Sequence, residues 1–305
     1  MVEIIKPLLK WVGGKTQIIE DVVELIPKEL HNYHEPFIGG GSVLFTVLSY
    51  KMYGEIEING RVYASDINKN LIHFYKNIQS DVNGVIAELK KIISEYNSIT
   101  GTVVKRLPVD LQESLTSPES YYYWMRKIYN ALNDEQRSEP RASAIFFFIN
   151  KNCFRGLYRE STYGFNVPYG YYKRPFLIDE QHFRDVSLLI EDVVFTCRDF
   201  EKSIQETVCE ADFIYLDPPY APENAASFVS YTSGGFPLDE HNKLFKICNE
   251  LPCKMLMSNA DVKIVRDSFP NEKGFITKTI SCRRTINPYD TGSSTNEVLI
   301  TNYDL

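Results

Sequence analysis

The sequence predicts an α/β fold with a doubly wound sheet of mainly parallel strands. Short apolar runs of strand length recur along the chain, and helical patterns such as 16–26 and 68–77 separate several of them. Most of the runs end in a polar or acidic residue, and they cover 32–37, 61–66, 213–217, 254–259 and 297–302. Strands that alternate with helices are typical of parallel sheets, which bind ligands at the carboxyl ends of their strands.

The middle of the chain predicts a mostly helical insertion at 84–176, set into a core formed by 1–83 and 177–305. Its first helix is indicated by apolar residues that fall on one helical face, namely Val85, Ile86, Leu89, Ile92, Ile93 and Tyr96. The end of the insertion is a turn-rich arm in which one acid, Glu160, stands among the basic residues Lys151, Arg155, Arg159, Lys173 and Arg174. This clustering of positive charge favours a surface that meets an anionic partner.

Two further helices are expected inside the insertion. Ser117 followed by Pro118 predicts an N-cap and the first helical position, with the helix running through Leu132. Another helix is expected over 141–150, directly before the basic arm.

Composition bounds the class of protein. The 305 residues are 44% hydrophobic, which suffices for a sizeable core, and no apolar stretch reaches the length of a membrane span or forms a signal region near Met1. The six cysteines have no paired short spacing and the five histidines are scattered, so we expect neither a disulfide framework nor a metal site. Reduced thiols indicate a cytoplasmic compartment, and the net charge of −7 argues only mildly against nucleic acid because the basic residues cluster.

The run Asp217-Pro218-Pro219-Tyr220 is the strongest candidate for chemistry. It follows the apolar strand 213–216, which delivers the Asp217 carboxylate to a strand tip. The prolines stiffen the turn and remove backbone donors, so its carbonyls stay available as acceptors, and Tyr220 adds a flat face. Acceptors beside an aromatic surface suit a planar group with an exocyclic amine, such as a nucleobase; an ordinary turn after a strand is the alternative.

Glycines after the first strand indicate a loop that approaches a ligand closely. Glu35-Pro36-Phe37-Ile38-Gly39-Gly40-Gly41 leads into an apolar helix, but the glycine spacing does not match that of dinucleotide enzymes, and Glu35 suits a cationic ligand better than a pyrophosphate. A structural turn is the alternative. Asp66 ends the next strand, at the usual position for binding ribose hydroxyls.

A second turn, Lys10-Trp11-Val12-Gly13-Gly14-Lys15, lies near the start of the chain. It lacks the length and the Ser/Thr of a phosphate-binding P-loop, so we reject a nucleoside-triphosphatase. Trp11 either stacks on an adenine or fills the core.

In combination and order, these motifs resemble the Dam-type DNA adenine-N6 methyltransferases, which are α-class amino-methyltransferases with a DPPY motif. The resemblance covers nearly the whole chain and is carried by six motifs, at 9–15, 35–41, 65–68, 150–159, 164–170 and 217–222. It implies a Rossmann-like methyltransferase sheet, S-adenosylmethionine as the methyl donor, and 84–176 as a target-recognition insertion. It also implies double-stranded DNA as the partner, in a bacterial, phage or viral setting.

The resemblance assigns donor-binding residues by motif. Trp11 and Lys15 should line the donor pocket, and Phe37, Gly39 and Gly41 should form its loop beside Glu35. Asp66 should accept from the ribose hydroxyls, and Asp217 should border the pocket. Asp199-Phe200 resembles the pair that holds the donor's adenine ring, with a helix cap and a core aromatic as the alternative.

The resemblance also implies the chemistry. Asp217 and the carbonyl of Pro218, in the turn stiffened by Pro219, would accept from the N6 hydrogens of an adenine, and this orients its nitrogen toward the methyl group. Because N6 is inaccessible inside a duplex, the base must be flipped out and stacked on Tyr220. No metal is implied.

Recognition of the DNA falls to the basic arm. Arg159 matches the family's guanine-recognising arginine, Phe154 its wedge into the base stack, and Leu157 and Pro168 would contact thymine methyl groups. A phosphate contact for Arg159 and a core position for Phe154 are the alternatives. GATC is the expected site, although Arg155 stands where GATC-methylating relatives more often carry Asn, and it could hold a phosphate or recognise another guanine.

Other functions stay open from the sequence alone. The same chemistry suits cytosine N4, an RNA base or another recognition sequence, and a DNA-binding homologue without catalysis comes from a different class. A cognate restriction endonuclease is a possible genetic partner without physical contact. Residues 227–236 are predicted to form a loop that closes over DNA, or a flexible linker.

Overall fold

A seven-stranded sheet forms the centre of the molecule. The computed structural model describes residues 2–205, 208–222, 236–283 and 294–304. The strands of these residues are, in chain order, β1 (Glu29–Leu30), β2 (Tyr33–Glu35), β3 (Glu57–Ile58), β4 (Val62–Asp66), β5 (Glu160–Ser161), β6 (Gly164–Phe165), β7 (Val193–Cys197), β8 (Phe213–Leu216), β9 (Lys254–Ala260), β10 (Ile276–Arg283) and β11 (Ser294–Thr301).

Helices lie in most of the connections between these strands. They are α1 (Ile19–Leu25), α2 (Ser42–Met52), α3 (Lys69–Ser98), α4 (Leu111–Ser114), α5 (Pro118–Ala131), α6 (Asp134–Arg137), α7 (Pro140–Asn152), α8 (Glu180–Leu189), α9 (Phe200–Gln205), α10 (Leu238–Asn249) and α11 (Lys263–Ser268). Short 3₁₀ turns lie at Phe154–Gly156 and Asn271–Lys273.

The strand order of the large sheet is β10-β11-β9-β8-β2-β4-β7. The five strands from β9 to β7 are parallel, while β11 is antiparallel to β9 and β10 is antiparallel to β11. This confirms the doubly wound, Rossmann-like α/β arrangement. The chain moves outward from β2 to β4 and β7 and then returns to β8, on the other side of β2. The topological switch point therefore lies between β2 and β8, where open sheets bind ligands.

The structure confirms the predicted strands and adds to the large sheet two that the sequence did not predict, β7 and β10; the short strands β1, β3, β5 and β6 were not predicted either. Both β7 and β10 are edge strands of the large sheet. The helix predicted after Ser117 is α5, and the Ser117 side chain accepts from the Ser120 N–H as an N-cap. The helices predicted at 16–26 and 141–150 are α1 and α7.

Helix α3 connects the sheet to the predicted insertion. It runs from Lys69 to Ser98, with non-helical backbone angles at Asp81 (φ −151°, ψ 65°). The predicted border at 83/84 therefore falls within α3, shortly after this interruption. Side chains from both sides of the border share one apolar cluster with the sheet, for example Leu71, Leu89, Tyr121, Phe148 and Tyr215. Packing of the insertion on the sheet fixes the position of the basic arm relative to the strand tips.

Candidate functional site: the carboxyl edge of the sheet

Acidic residues end or follow four neighbouring parallel strands at one edge of the sheet. Glu35 ends β2, Asp66 ends β4, Asp199 follows β7 and Asp217 follows β8. Because parallel strands present their carboxyl ends at the same edge, the fold gathers residues from widely separated motifs at the switch point. These four acids lie at the edge of the sheet where the sequence predicts the site.

Asp217 lies at the centre of a hydrogen-bonded group. Its Oδ1 is 2.7 Å from the Nζ of buried Lys15, and it accepts from Ser258 Oγ at 3.2 Å. Ser258 in turn shares a 2.6 Å hydrogen bond with the hydroxyl of Tyr215. Burial raises the pKa of Asp217, and the Lys15 ammonium and the Ser258 hydroxyl oppose that rise. Lys15 thus favours the charged form of the Asp217 carboxylate, whereas burial favours the neutral form.

Glu35 is a buried acid beside this pair. Burial raises the pKa of Glu35 to about 8, although the Tyr33 hydroxyl, which donates to its Oε2 at 2.6 Å, works in the opposite direction. The charge on Asp217 raises the pKa of Glu35 and the charge on Lys15 lowers it. Two acids therefore share one lysine, and a cationic ligand at this edge would favour the ionised form of both.

The glycine loop forms a close-fitting cradle under Trp11. Gly41 has φ +76° and begins α2, and a Cβ at Gly40 would lie 2.7 Å from the Cβ of Trp11. The Gly39 N–H donates to Asp66 Oδ2 at 3.0 Å, and burial raises the pKa of Asp66 while this and the other backbone bonds oppose it. The loop therefore joins the tips of β2 and β4, and Trp11 packs on it where only a residue without a Cβ fits.

Tyr220 is held from two directions. Its hydroxyl donates to Glu297 Oε2 at 2.7 Å, and Lys15 Nζ lies 4.7 Å from the centre of its ring. The turn itself is fastened to β9, because the Ala221 N–H donates to Asn259 Oδ1 at 3.0 Å. The sequence did not predict a role for Glu297, since its only local signal is an acid within an alternating strand.

Aromatic rings cluster beside the tips of β2 and β7. Phe37 stacks on Phe200 with ring centres 5.5 Å apart, and Phe236 lies within 6.0 Å of both rings. Asp199 accepts from the Lys202 N–H at 2.9 Å and so caps α9. These contacts match the alternative of a helix cap with a core aromatic, and a role of Asp199-Phe200 toward the donor's adenine stays a prediction.

The basic arm is a narrow ribbon that carries the residues predicted to meet DNA. The Phe154 N–H donates to the Pro168 carbonyl at 2.8 Å, and Arg159 Nε donates to Asn166 Oδ1 at 2.6 Å. Phe154 is 44% exposed, so it is not a core residue, whereas Leu157 is half-buried and packs against the apolar cluster. Phe154 and Pro168 thus lie side by side on the surface.

Arg155 has an unusual backbone in this ribbon. It is a non-glycine residue with φ +57° and ψ 14°, and its guanidinium lies 5.2 Å from the ring centre of Phe154. Asn adopts this left-handed region more readily than Arg does. This backbone would therefore suit an Asn better than the Arg that stands here, and the guanidinium lies beside the ring of Phe154.

Comparison with known proteins identifies the family. The family model described as D12 class N6 adenine-specific DNA methyltransferase matches residues 11–284. The chain belongs to this family. It is 37% identical over 294 residues to the type II methyltransferase M.MjaIII of Methanocaldococcus jannaschii, with 93% of each chain covered.

Two further relatives agree with this membership. The chain is 30% identical over 275 residues to the DNA adenine methylase of Haemophilus influenzae, covering 88% of this chain and 84% of the relative. It is 27% identical over 307 residues to the type II methyltransferase M1.LlaDCHI of Lactococcus lactis subsp. cremoris, covering 98% and 96%. The protein is an adenine-specific DNA methyltransferase, and membership implies S-adenosylmethionine as its methyl donor.

The carboxyl edge of this methyltransferase fits such a donor. Three acids, Glu35, Asp66 and Asp217, lie at the same edge, beside a glycine loop on which Trp11 packs too closely for a Cβ at Gly40. A sulfonium with an attached ribose matches this combination of negative charge and hydroxyl acceptors.

The turn at 10–15 of the methyltransferase also contacts α7 and the basic arm. The Asn150 side chain accepts from the Lys10 N–H at 2.9 Å and donates to the Lys10 carbonyl at 2.8 Å. The rings of Trp11 and Tyr158 lie 4.9 Å apart. The sequence did not predict these contacts, which join residues far apart in the chain.

Two predictions concern other parts of the chain. Residues 227–235 of the predicted closing loop lie outside the described residues. Within the described ranges, no helix is both long enough and apolar enough to cross a lipid bilayer.

Proposed function

We propose that this methyltransferase transfers the methyl group of S-adenosylmethionine to N6 of an adenine flipped out of double-stranded DNA, at the sequence GATC. One observation carries the proposal: Asp217 stands at the switch point, held by Lys15 and Ser258, beside the ring of Tyr220. This arrangement provides acceptors for an exocyclic amine and a surface for a planar base.

Asp217 and Pro218 orient the reacting nitrogen. Adenine N6 is a poor nucleophile because its lone pair is delocalised into the ring, so the protein must hold it in a favourable geometry. The Asp217 carboxylate and the Pro218 carbonyl accept one N6 hydrogen each, while Pro219 keeps the turn stiff. Lys15 opposes the rise in the pKa of Asp217 that burial causes. Aligned geometry of this kind contributes on the order of 7–11 kcal/mol.

The donor lies along the tips of β2, β4 and β7. S-adenosylmethionine supplies an activated methyl group on a sulfonium. Glu35 and Asp217 balance its positive charge, Asp66 accepts from its ribose, and Trp11 and Lys15 border it. The loop of Phe37, Gly39 and Gly41 approaches it closely, and Asp199-Phe200 borders its adenine. The gathering of these residues at one sheet edge supports the assignment.

The arm within 84–176 recognises the target. Phe154 enters the base stack beside the flipped adenine, which its exposure supports. Arg159, held by Asn166, contacts a guanine through O6 and N7, and Leu157 and Pro168 contact thymine methyl groups. The relative from Haemophilus influenzae is a DNA adenine methylase, which agrees with adenine as the target base.

A second candidate is the same chemistry at another recognition sequence. It is favoured by Arg155, whose guanidinium projects from a left-handed backbone position beside Phe154. An arginine there recognises a further guanine or holds a phosphate, where an Asn does neither in the same way. In either case we place the enzyme in the cytoplasm of a bacterial, phage or viral system, with a cognate restriction endonuclease as its genetic partner.

Methylation of a plasmid by the purified protein with S-adenosylmethionine tests the proposal, with N6-methyladenine located by single-molecule sequencing. We expect modification at GATC sites. Modification confined to another motif would overturn the GATC site, keep the chemistry and assign Arg155 to base recognition. Absence of modification, with the donor still bound, would overturn the proposed reaction on DNA adenine.

A further inference from the structure

A second cluster of polar side chains lies at the amino ends of β2 and β8, away from the carboxyl edge. It contains His31, before β2, with Cys209 and Asp212, before β8. Asp212 and Asp217 flank β8, so the two sites are about 16 Å apart at the usual rise of a strand. Neither the donor pocket nor the catalytic turn uses these residues.

The three side chains converge on a small volume. One ligand atom of each residue, namely His31 Nδ1, Cys209 Sγ and an Asp212 carboxylate oxygen, lies within 4.8 Å of the others. The distance from His31 Nδ1 to Asp212 Oδ1 is 3.3 Å. Ligand atoms around a tetrahedral zinc ion are roughly 3.3–3.8 Å apart, given bonds of about 2.0–2.3 Å. Since no two of the three atoms are more than 4.8 Å apart, each pair needs to approach by at most about 1.5 Å to reach this spacing.

The burial of Asp212 indicates a cation. The Asp212 side chain is 0% exposed, whereas His31 is 55% exposed and opens the cluster to solvent. Among the described residues, the groups within ion-pair distance of Asp212 are two histidines, His31 and His34, and no lysine or arginine. Buried charges in proteins are paired or bind metal ions.

Three neighbouring groups already orient the Asp212 carboxylate. Asn32 Nδ2 lies 2.8 Å from Asp212 Oδ1, His34 Nε2 lies 2.8 Å from Oδ2, and the Cys209 N–H donates to Oδ2 at 3.0 Å. Such outer partners fix the direction of a ligand before the metal binds. They leave His31 and Cys209 as the adjustable members on the solvent side.

We propose that His31, Cys209 and Asp212 bind a zinc ion, with water in the fourth position. Nitrogen, sulfur and carboxylate oxygen together suit Zn²⁺, whereas Mg²⁺ and Ca²⁺ prefer oxygen ligands alone. The ion joins the turn before β2 to the turn before β8 and so stabilises the two strands that flank the switch point. The sequence predicted no metal site because His31 and Asp212 are separated by 181 residues.

Metal titration of the chelator-treated, full-length protein tests the site. We expect one zinc ion per chain by calorimetry, and with Co²⁺ the absorption band of a cobalt–thiolate bond. Cys209→Ser removes the band and His31→Ala weakens zinc binding at least about tenfold. Zinc raises the Tm of the wild type and raises that of both variants by less.

Cys197→Ser is the matched control, because Cys197 is also exposed but lies outside the cluster. It should keep the cobalt band, and circular dichroism checks that every variant is folded. The proposal is overturned if the wild type shows no cobalt–thiolate band, or if Cys209→Ser keeps a band of the same intensity. A band that is lost in Cys197→Ser instead would also overturn it.

Discussion

Protonation of Glu35 should couple the stability of the folded chain to pH. Burial raises its pKa to about 8, from 4.5 for an ordinary glutamate. The folded state thus prefers neutral Glu35, and the stabilisation is fully present below pH 4.5 and is lost as pH rises through 8. The free energy of unfolding should fall across this range, by at most about 1.4 kcal/mol per pH unit.

Urea unfolding of the wild type and Glu35→Gln between pH 5 and 8.5 measures this effect. The amide stays neutral, so the variant should lack the part of the slope that Glu35 causes. Glu29→Gln is the control, because Glu29 is exposed and should keep the wild-type slope. Identical slopes in all three proteins would show that Glu35 is ionised in the folded state.

Tyr220 and Glu297 should act as one unit. If the 2.7 Å hydrogen bond orients the ring, Tyr220→Phe and Glu297→Ala each lower the single-turnover rate about tenfold, which corresponds to about 1.4 kcal/mol. The affinity for S-adenosylmethionine should stay unchanged. The double variant should be no slower than either single variant, because the same contact is removed. Rate losses that multiply in the double variant would contradict an orienting role of Glu297.

At the scale of elements, one asparagine joins α7 to the turn at 10–15 by hydrogen bonds. Asn150 is buried and pairs with both backbone groups of Lys10, next to Trp11. Asn150→Ala leaves these groups unpaired, so we expect a loss of about 1–3 kcal/mol in the free energy of unfolding. Because Trp11 follows Lys10, donor affinity should weaken as well.

Chemical denaturation and donor titration of Asn150→Ala measure both effects. Asn242→Ala on α10 is the control, since Asn242 is exposed on a helix surface and should change neither quantity. Unchanged donor affinity in a destabilised Asn150→Ala protein would mean that the Asn150–Lys10 hydrogen bonds stabilise the fold but do not support the donor pocket.

The elements predicted from the sequence are those with a strong local pattern. β4 and β8 are mainly apolar runs next to acidic residues, β2 leads into the glycine loop, and α5 has both an N-cap and a proline at its start. The sequence did not predict β7 and β10, which lie at the two edges of the sheet and pair with β4 and β11. Edge strands are defined by their pairing, which a local pattern does not contain.

The sequence predicts the residues of the candidate site but not the contacts between them. Motifs indicated Lys15 and Asp217 separately, and their 2.7 Å pairing depends on the order of strands in the sheet. The same holds for Glu297, which reaches Tyr220 only because β11 pairs with β9 beside the catalytic turn. The pairing of strands that are far apart in the chain decides these contacts. The residues next to them in the sequence do not indicate this pairing.

At the scale of the whole molecule, an acidic protein must bind DNA through a basic surface. The net charge is −7, yet basic residues cluster in the arm. Duplex affinity should therefore fall steeply with salt, with a slope of log affinity against log salt of about 0.9 per phosphate contact. Lys173→Glu should weaken binding and reduce this slope.

Fluorescence titrations of a short duplex at several salt concentrations measure the slope. Lys246→Glu is the control, because Lys246 is an exposed lysine on α10, away from the arm, and makes the same change in net charge. Equal weakening by both substitutions would mean that overall charge, rather than the arm, governs DNA binding.

The central claim is that the Asp217 carboxylate orients adenine N6 for methyl transfer. The most direct test is a single-turnover assay of methyl transfer to a duplex with one GATC site, for the wild type and Asp217→Ala. We expect label on adenine N6 with the wild type and with the surface control Asp267→Ala. Asp217→Ala should be slower by on the order of a thousandfold while still binding the donor. Full activity of Asp217→Ala would contradict the account.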